Sequence, residues 1–350
     1  MTHRVLVTGA TGFVAGHCIA ELIEHGYDVR ATVRDIAATA RRAHLEKLAA
    51  DRGGSIEFVQ ADLDSDDGWD PAVTDCAYVI HTASPFPDTP PKDPDELVRP
   101  AVDGTLRILR ACAASDTVRR VVITSSIAAV SAGREPGDHT VRTERDWSVL
   151  DRSTAYQQSK TLAERAAWDF VAGLPADRSL ELVVINPGMV LGPVQQPVVG
   201  TSVNAIVRLL RRDMPGSPRL GFAPIDVRDL AAAHRLAMES PDAVGNRYIC
   251  AGDNIWMGGI AQILAEEYNR KGFRVPTRTI PDRLIRIIGY FDPSVRLILP
   301  WLGRHERVSS DKARRELSWE MRPVRETILD TAASLIRHGI VPAPYGASAR

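Results

Sequence analysis

Little in these 350 residues points toward a polyanion, a membrane or a metal. Net charge is nearly absent: 43 Lys and Arg stand against 44 Asp and Glu, a formal −1, which argues against nucleic acid or a charged membrane surface as the main partner. Cysteine is scarce. Cys18, Cys76, Cys112 and Cys250 lie far apart, with no C-x-x-C pair and no accompanying histidine cluster. Neither a disulfide framework nor a zinc site is indicated, and a reducing, cytoplasmic setting is expected. No apolar run approaches the roughly 20 residues that span a bilayer. The first such run, Val5-Leu6-Val7, is cut at once by Thr8-Gly9, so no secretory signal is expected. Repeats and low-complexity tracts are missing as well. What remains is 44% hydrophobic and 25% charged residues, an ordinary globular composition at a length that favours roughly two domains.

Down to about residue 190 the chain alternates short β-branched runs with longer helical patterns, the signature of a parallel sheet with crossover helices. The strand candidates are Arg4–Thr8, Asp28–Val33, Ser55–Gln60, Ala77–Thr82, Val118–Thr124 and Leu180–Ile185. Helical patterns fall at Phe13–His25, Ala38–Ala50, Asp95–Ala114 and Ala155–Gly173, the first closed by Gly26 at a left-handed C′ position. The fold class is therefore α/β, a Rossmann doubly wound parallel sheet. After Pro187 the rhythm changes, because Pro193, Pro197, Gly200, Pro215, Gly216 and Pro218 break the chain around one short helix, Ser202–Arg212. Ile225–Glu239 reads as a helix and Asn246–Cys250 as a strand; Trp256–Lys271, Asp282–Leu299 and Val324–His338 read as amphipathic helices. The expected division is a nucleotide-binding domain of residues 1–187 plus 222–251. A smaller, mainly helical substrate region takes 188–221 plus 252–345.

The first strand runs into Gly9-Ala10-Thr11-Gly12-Phe13-Val14-Ala15-Gly16 and then a helix. Glycines fall where the backbone turns tightly and approaches a pyrophosphate at the helix N-terminus. A bare glycine pattern also suits an ordinary strand-to-helix turn; the strand before and the helix after favour a dinucleotide, with Gly9, Thr11, Gly12, Phe13 and Val14 as candidate contacts. At the end of the second strand an acid would take the ribose 2′-hydroxyl of NAD, and an arginine the 2′-phosphate of NADP. Here Thr32-Val33 is followed by Arg34, and Arg41 and Arg42 can fold back from the next helix, so NADP(H) is expected. Two alternatives stand beside this: Arg34 pairing only with Asp35 or Glu57, and Asp35 itself serving NAD. Asp62-Leu63 follows the third strand where the adenine amino group would lie. His81-Thr82-Ala83-Ser84 follows the fourth, where small residues let the adenosine ribose approach. Asp62 also fits a turn cap, and His81 a buried core histidine.

Thr154-Ala155-Tyr156-Gln157-Gln158-Ser159-Lys160 opens a helix, so Tyr156 and Lys160 at i and i+4 share one face. A positive charge beside a phenol favours the phenolate and brings its pKa down toward the range of a general acid. The fifth strand ends in Thr124-Ser125-Ser126 at the carboxyl edge of the sheet, where a hydroxyl can donate to a substrate carbonyl oxygen. Alone, Tyr-x-x-x-Lys on a solvated helix face is commonplace. The order of phosphate loop, serines and Tyr-x-x-x-Lys resembles the short-chain dehydrogenase/reductase superfamily, in particular its extended members. Val-Thr-Gly-Ala-Thr-Gly-Phe (7–13), Ala-Thr-Val-Arg-Asp (31–35), Ile-His-Thr-Ala-Ser-Pro (80–85), Ser-Lys-Thr-Leu-Ala-Glu (159–164), Asn-Pro-Gly-Met-Val-Leu-Gly-Pro (186–193) and Ile-Asp-Val-Arg-Asp-Leu-Ala (225–231) resemble its dihydroflavonol reductase, cinnamoyl-CoA reductase and aldehyde/ketone reductase branch.

That resemblance is nearly continuous from residue 4 to about 235 and then thins. It implies that Ser126 rather than Ser125 holds the substrate oxygen, that Tyr156 is the acid, and that Lys160 binds the nicotinamide ribose while polarising Tyr156. It also implies that Pro187, Gly188 and Val190 contact the nicotinamide end, and that Arg34 and Arg41 are the NADP-phosphate contacts. Three positions depart from the branch. Ala15 replaces the last loop glycine of many relatives, Ala101 stands where many extended members have a relay asparagine, and Ser131 stands where plant flavonoid enzymes carry a flavonoid-contacting asparagine. Phe86, Met189 and Phe222 are candidates for an apolar pocket wall, although isolated apolar residues are more often core. The expected activity is NADPH-dependent reduction of an aldehyde or ketone, reversible, on a small-molecule substrate by a monomer or homodimer. The alternatives are an NAD-retaining nucleotide-sugar epimerase or dehydratase, and a non-catalytic NADP-sensing regulator. Arg34 counts against the first, and the joint presence of Ser126, Tyr156 and Lys160 against the second.

Overall fold

A computed structural model describes residues 3–84, 93–135, 137–291 and 293–344. The chain divides into two compact units: Met1–Pro187 with Arg228–Cys250 and Ser309–Glu320, and Gly188–Val227 with Ala251–Val308 and Met321–Arg350. The first unit opens β1 (Arg4–Thr8), α1 (Phe13–Glu24), β2 (Asp28–Val33), α2 (Ala43–Asp51), β3 (Ile56–Gln60) and α3 (Trp69–Val73). It continues β4 (Tyr78–His81), α4 (Asp95–Ala114), β5 (Arg120–Thr124), α5 (Ala155–Ala172) and β6 (Glu181–Pro187). The second unit begins with β7 (Met189–Leu191), α6 (Thr201–Arg211), β8 (Gly221–Phe222) and β9 (Pro224–Asp226); α7 (Val227–Glu239) and β10 (Arg247–Cys250) lead back through the first. β11 (Ile255–Trp256), α8 (Met257–Tyr268), α9 (Asp282–Phe291) and α10 (Pro293–Ile298) belong to the second unit, α11 (Asp311–Glu316) to the first, and α12 (Val324–Arg337) to the second.

The first unit is a seven-stranded sheet in the order β10-β6-β5-β4-β1-β2-β3, every neighbouring pair parallel. This is the expected doubly wound arrangement, and its order reverses between β1 and β4, where the crevice for a ligand opens at the carboxyl ends. The central strands are buried through most of their length because apolar, mostly β-branched residues face helices on both sides: Val5, Leu6, Val7, Val79, Val121 and Val122 have no exposed surface. Buried arginines close two helices from strand positions. Arg30 donates to the Pro71, Ala72 and Thr74 carbonyls at the end of α3, and Arg120 to those of Ala237, Met238 and Ser240 at the end of α7. Each supplies the donors that the last turn of a helix lacks. Gly26 adopts φ +78 after α1, the left-handed closure read from the sequence.

Boundaries differ from expectation where tertiary pairing competes with local pattern. The stretch read as one helix from Ile225 begins with β9, because Pro224–Asp226 pairs in register with Met189–Leu191, and helix starts only at Val227. The helix expected from Ala38 is a 3-10 turn at Thr39–Arg41 followed by α2 from Ala43. The pattern at 282–299 is two helices, α9 and α10, the second starting on Pro293, which cannot continue a helix before it. Ser309–Glu320, expected with the substrate region, packs in the first unit instead: the Trp319 indole is buried and donates to the Asp229 carbonyl at 2.7 Å, and Tyr248 donates to Glu316 at 3.1 Å. Within the second unit, Thr331 and Ser334 of α12 accept the backbone N–H groups of Gly192 and Val194. Among the described residues no helix is long and apolar enough to cross a membrane.

Candidate active site

The N-terminus of α5 is fixed by a capping box: the Thr154 hydroxyl accepts the Gln157 N–H while the Gln157 side chain accepts the Thr154 N–H. Tyr156 therefore sits in the first turn and Lys160 one turn on. Opposite them, β5 ends in three consecutive hydroxyls, and the fold gives each a different partner. Thr124 is hydrogen-bonded to His234 Nε2 at 2.7 Å, Ser125 donates to Glu164 at 2.5 Å, and Ser126 is hydrogen-bonded to the Tyr156 phenol. Ser126 also begins a 3-10 turn, its oxygen accepting the Ala128 N–H at 3.1 Å. Of the three, Ser126 is thus the hydroxyl joined to the tyrosine.

Burial raises the Tyr156 pKa and the Ser126 hydrogen bond works the other way. The sequence pattern implied a value lowered by Lys160. The structure differs because the Lys160 ammonium is directed at the Ser84 hydroxyl, 3.0 Å away. Desolvation pulls Lys160 itself down to about 8, partly opposed by the Glu164 carboxylate. His81 is a buried core histidine, held down to about 3 first by burial and then by Lys160. Thr8 Oγ accepts the Thr82 and Ala83 N–H groups, so its own hydrogen goes to His81 Nδ1 at 2.8 Å and the neutral ring keeps its proton on Nε2. The same hydroxyl thereby pins Thr82-Ala83-Ser84 against β1.

The glycine loop meets the requirements of a phosphate cradle. Gly12 caps α1 without any side-chain cap, and no acidic residue lies in the first turn, so the helix's first N–H groups and its positive end are available to an anion. Gly9 has φ +70, and a Cβ there would come within 3.1 Å of the Ala83 Cβ, so only glycine fits the turn. Its N–H donates to the Thr32 hydroxyl at 2.9 Å, tying the loop to β2. Thr11, Phe13 and Val14 continue from this loop into α1, and Ala15 is buried in the helix interface. Arg34, next after β2, and Arg41, at the end of the 3-10 turn beyond it, are both exposed, and neither guanidinium makes an ion pair or hydrogen bond among the described residues. Arg42 is engaged elsewhere, with Glu46, the Ile36 carbonyl and the Phe58 ring. Asp35 accepts the Ala37 N–H at 2.9 Å, closing its own turn. The residues present fit an NADP-type nucleotide.

Of the remaining candidates, Asp62 does act as a turn cap, accepting the Asp64 N–H at 3.1 Å, and Leu63 lies against Gly104. Ser131 is buried and donates to the Ile127 carbonyl at 3.2 Å. Pro187 ends β6 in the first unit, while Gly188, Met189, Val190 and Phe222 fall in the second. Gly188 has a strict reason to be glycine, since a Cβ would meet the Ala223 carbonyl oxygen at 2.0 Å. Val190 pairs with Ile225, and half-buried Phe222 with Ile255. Phe86 lies outside the described residues.

Sequence reasoning quoted Glu164 and Asn186 within motifs but gave neither a role, and it passed over Arg247. Glu164 has only 1% of its surface exposed; its carboxylate accepts hydrogen bonds from Ser125, Asn186 at 2.8 Å and Trp168 at 3.4 Å, and the Arg247 guanidinium stands against it as an ion pair at 2.5 Å. Arg247 in turn stacks on Trp147, 3.8 Å from the ring centroid, and donates to the Glu144 and Asp146 carbonyls. The signal available for Glu164 was its place two turns beyond Tyr156 on the same helix face. For Arg247 no local signal existed.

The NAD dependent epimerase/dehydratase family model matches residues 5–251. A cinnamoyl-CoA reductase (CAD2) of Medicago truncatula is 35% identical over 340 residues, covering 95% of each chain. A bifunctional dihydroflavonol 4-reductase/flavanone 4-reductase of Malus domestica is 33% identical over 286 residues, 79% of each chain. Among solved structures, the yeast methylglyoxal/isovaleraldehyde reductase Gre2, complexed with NADPH, superposes with a TM-score of 0.79 at 29% identity, covering 97% of this chain and 100% of that one.

Proposed function

We propose, from the premise that this chain belongs to the NAD dependent epimerase/dehydratase family, that it is an NADPH-dependent carbonyl reductase whose catalytic residues are Ser126, Tyr156 and Lys160. It converts an aldehyde or ketone to the alcohol and runs in reverse as an alcohol dehydrogenase. The nicotinamide cofactor, when bound, supplies the hydride. The chain's own residues orient the substrate and manage one proton. Ser126 donates a hydrogen bond to the carbonyl oxygen, and Tyr156 transfers its phenolic proton to that oxygen as negative charge develops there. Lys160 holds the ribose hydroxyls and keeps a positive charge beside the phenol. Gly9, Thr11, Gly12, Phe13 and Val14 would hold the diphosphate, Arg34 and Arg41 the 2′-phosphate, and Thr82, Ala83 and Ser84 the adenosine ribose. Asp62 and Leu63 would meet the adenine, and Pro187, Gly188 and Val190 the nicotinamide end.

The observation that carries the reading is the sorting of the three hydroxyls after β5, which leaves Ser126 joined to Tyr156 while Thr124 and Ser125 are taken by His234 and Glu164. Relatives named for cinnamoyl-CoA and dihydroflavonol, and a neighbour named for small aldehydes and complexed with NADPH, support carbonyl reduction as the general activity. Arg34 and Arg41, whose guanidinium groups have no ion pair or hydrogen bond among the described residues, and Asp35, which accepts the Ala37 N–H, favour NADPH over an NAD-retaining epimerase. A cytoplasmic setting belongs to the proposal, supported by four cysteines that are all free and buried. The test is NADPH oxidation followed across methylglyoxal, aromatic aldehydes, β-ketoesters, diketones, dihydroflavonols, cinnamoyl-CoA and ketosteroids. Turnover of at least one, abolished in Tyr156→Phe, is expected; no oxidation with any of them would overturn the reading.

A further inference from the structure

Tyr156, Lys160 and Glu164 form an i, i+4, i+8 row on one face of α5. Lys160 and Glu164 both line a small cavity of about 20 Å³, together with His81, Ala101, Thr105 and Ser125. That is room for about one water molecule. An ammonium in such a place loses most of its hydration, and a desolvated lysine tends to shed its proton. The carboxylate that opposes this at Lys160 is Glu164's.

Burying a carboxylate this deep costs free energy unless it is paired and hydrogen-bonded. Ser125, Asn186, Trp168 and Arg247 converge on the two oxygens of Glu164, and Arg247 is in turn held by Trp147 and two carbonyls. Such a set of donors is costly to assemble around a group whose only task is packing. We propose that Glu164 is a positioning residue for the reductase site: its clamped carboxylate, one helical turn beyond Lys160, keeps the Lys160 ammonium charged beside Tyr156. This rests on the reading of Tyr156 and Lys160 given above.

The groups around Lys160 bear on any titration. Tyr156 and Glu164 lie on α5, His81 at the end of β4, and Arg247 on β10 behind Glu164. The neighbours from α4 and β5 in the cavity wall, Ala101, Thr105, Thr124 and Ser125, do not titrate. His81 is neutral throughout the range in which Lys160 changes charge, so a shift in Lys160 after substitution at Glu164 reports Glu164.

The chain has five lysines, Lys47, Lys92, Lys160, Lys271 and Lys312, few enough for ε-carbon NMR of the labelled full-length protein, with Lys160 assigned by its loss in Lys160→Arg. Glu164→Gln alone leaves Arg247 buried without its carboxylate, a loss that threatens folding. The double variant Glu164→Gln/Arg247→Met removes both charges and keeps the volume. In that variant the Lys160 midpoint should fall by about one pH unit or more from the wild-type value, and in Glu164→Asp it should return close to it. With substrate and NADPH, the alkaline limb of kcat should move by the same amount in the same direction. An unchanged midpoint in the double variant, or a fall that Glu164→Asp does not reverse, would overturn the proposal. The NMR titration needs neither cofactor nor substrate. A failure of the reductase reading therefore shows as absent turnover, and a failure of this inference as an unmoved lysine.

Discussion

The two units of this chain carry their shape in different ways. In the first, four- to seven-residue strands run in register through one parallel ladder, and the proposed reactive groups sit at strand ends and in the opening turns of α1 and α5. In the second, the strands are two or three residues long. Shape there depends on single contacts such as the Gly188 approach to Ala223 and the α12 hydroxyls that cap the chain after β7. The difference teaches where change is tolerated. A ladder shared by seven strands holds a hydroxyl or an ammonium in place whatever the substrate, whereas short strands joined by proline-rich loops can be reshaped without disturbing the proton donor.

If that division is right, the largest effect comes from the first unit. Tyr156→Phe keeps the ring and removes the proton donor, so kcat should fall about 100- to 10,000-fold, the usual contribution of a positioned general acid, with NADPH binding by fluorescence titration nearly unchanged. Retention of more than a tenth of wild-type kcat would break the assignment. Next is coenzyme choice. Arg34→Asp removes a donor and adds a like charge, so kcat/KM with NADPH should drop about 10- to 150-fold while NADH use persists, each charge-assisted contact being worth about 1.5 to 3 kcal/mol. Equal efficiency with both coenzymes in the wild type would refute the 2′-phosphate role.

A smaller effect concerns stability of the first unit. His81 and His234 are held neutral by burial, at about 3 and about 4. Both folded values lie below the unfolded one near 6.5. As pH falls below about 6.5 the unfolded chain binds protons that the folded chain does not. Stability should therefore be full above that pH and decline by up to about 1.4 kcal/mol per pH unit per histidine as pH drops toward 4. Urea melts at stepped pH should show the slope, and His234→Gln should flatten it by about half; an unaltered slope would remove His234 from the account. The smallest expected effect sharpens the comparison from the other side. Phe222→Ala in the second unit should alter the ranking of substrates by about tenfold or less, the scale of lost apolar contacts in a pocket, and leave NADPH affinity alone. A uniform fall in kcat for every substrate would show that the second unit governs chemistry as well.

Much of the first unit was legible because its signals are local. β-branched runs marked β1 and β2 to the residue, and the helical pattern opening after Thr154 placed the start of α5. The glycine loop showed where a helix would begin without a side-chain cap. The short strands β7, β8, β9 and β11 were not legible, since two or three residues carry no periodicity and pair only with a partner distant in sequence. The three hydroxyls of Thr124-Ser125-Ser126 were equivalent on paper. Ser126 was set apart from Ser125 by resemblance, while the physical distinction is that Glu164 takes one and His234 another.

By itself the sequence determined the doubly wound architecture, the glycine loop between β1 and α1, Arg34 at the end of β2 and the Tyr156-Lys160 spacing, because helix and strand periods and backbone sterics operate over a few residues. Only the tertiary structure decided that Lys160 turns to Ser84, that burial rather than a neighbouring charge governs Tyr156, and that Trp319 returns its segment to the first unit. It also decided that Arg247, 83 positions after Glu164 in the numbering, stands against its carboxylate. Desolvation and long-range ion pairing depend on what the whole chain packs around a group, and no window of sequence contains that.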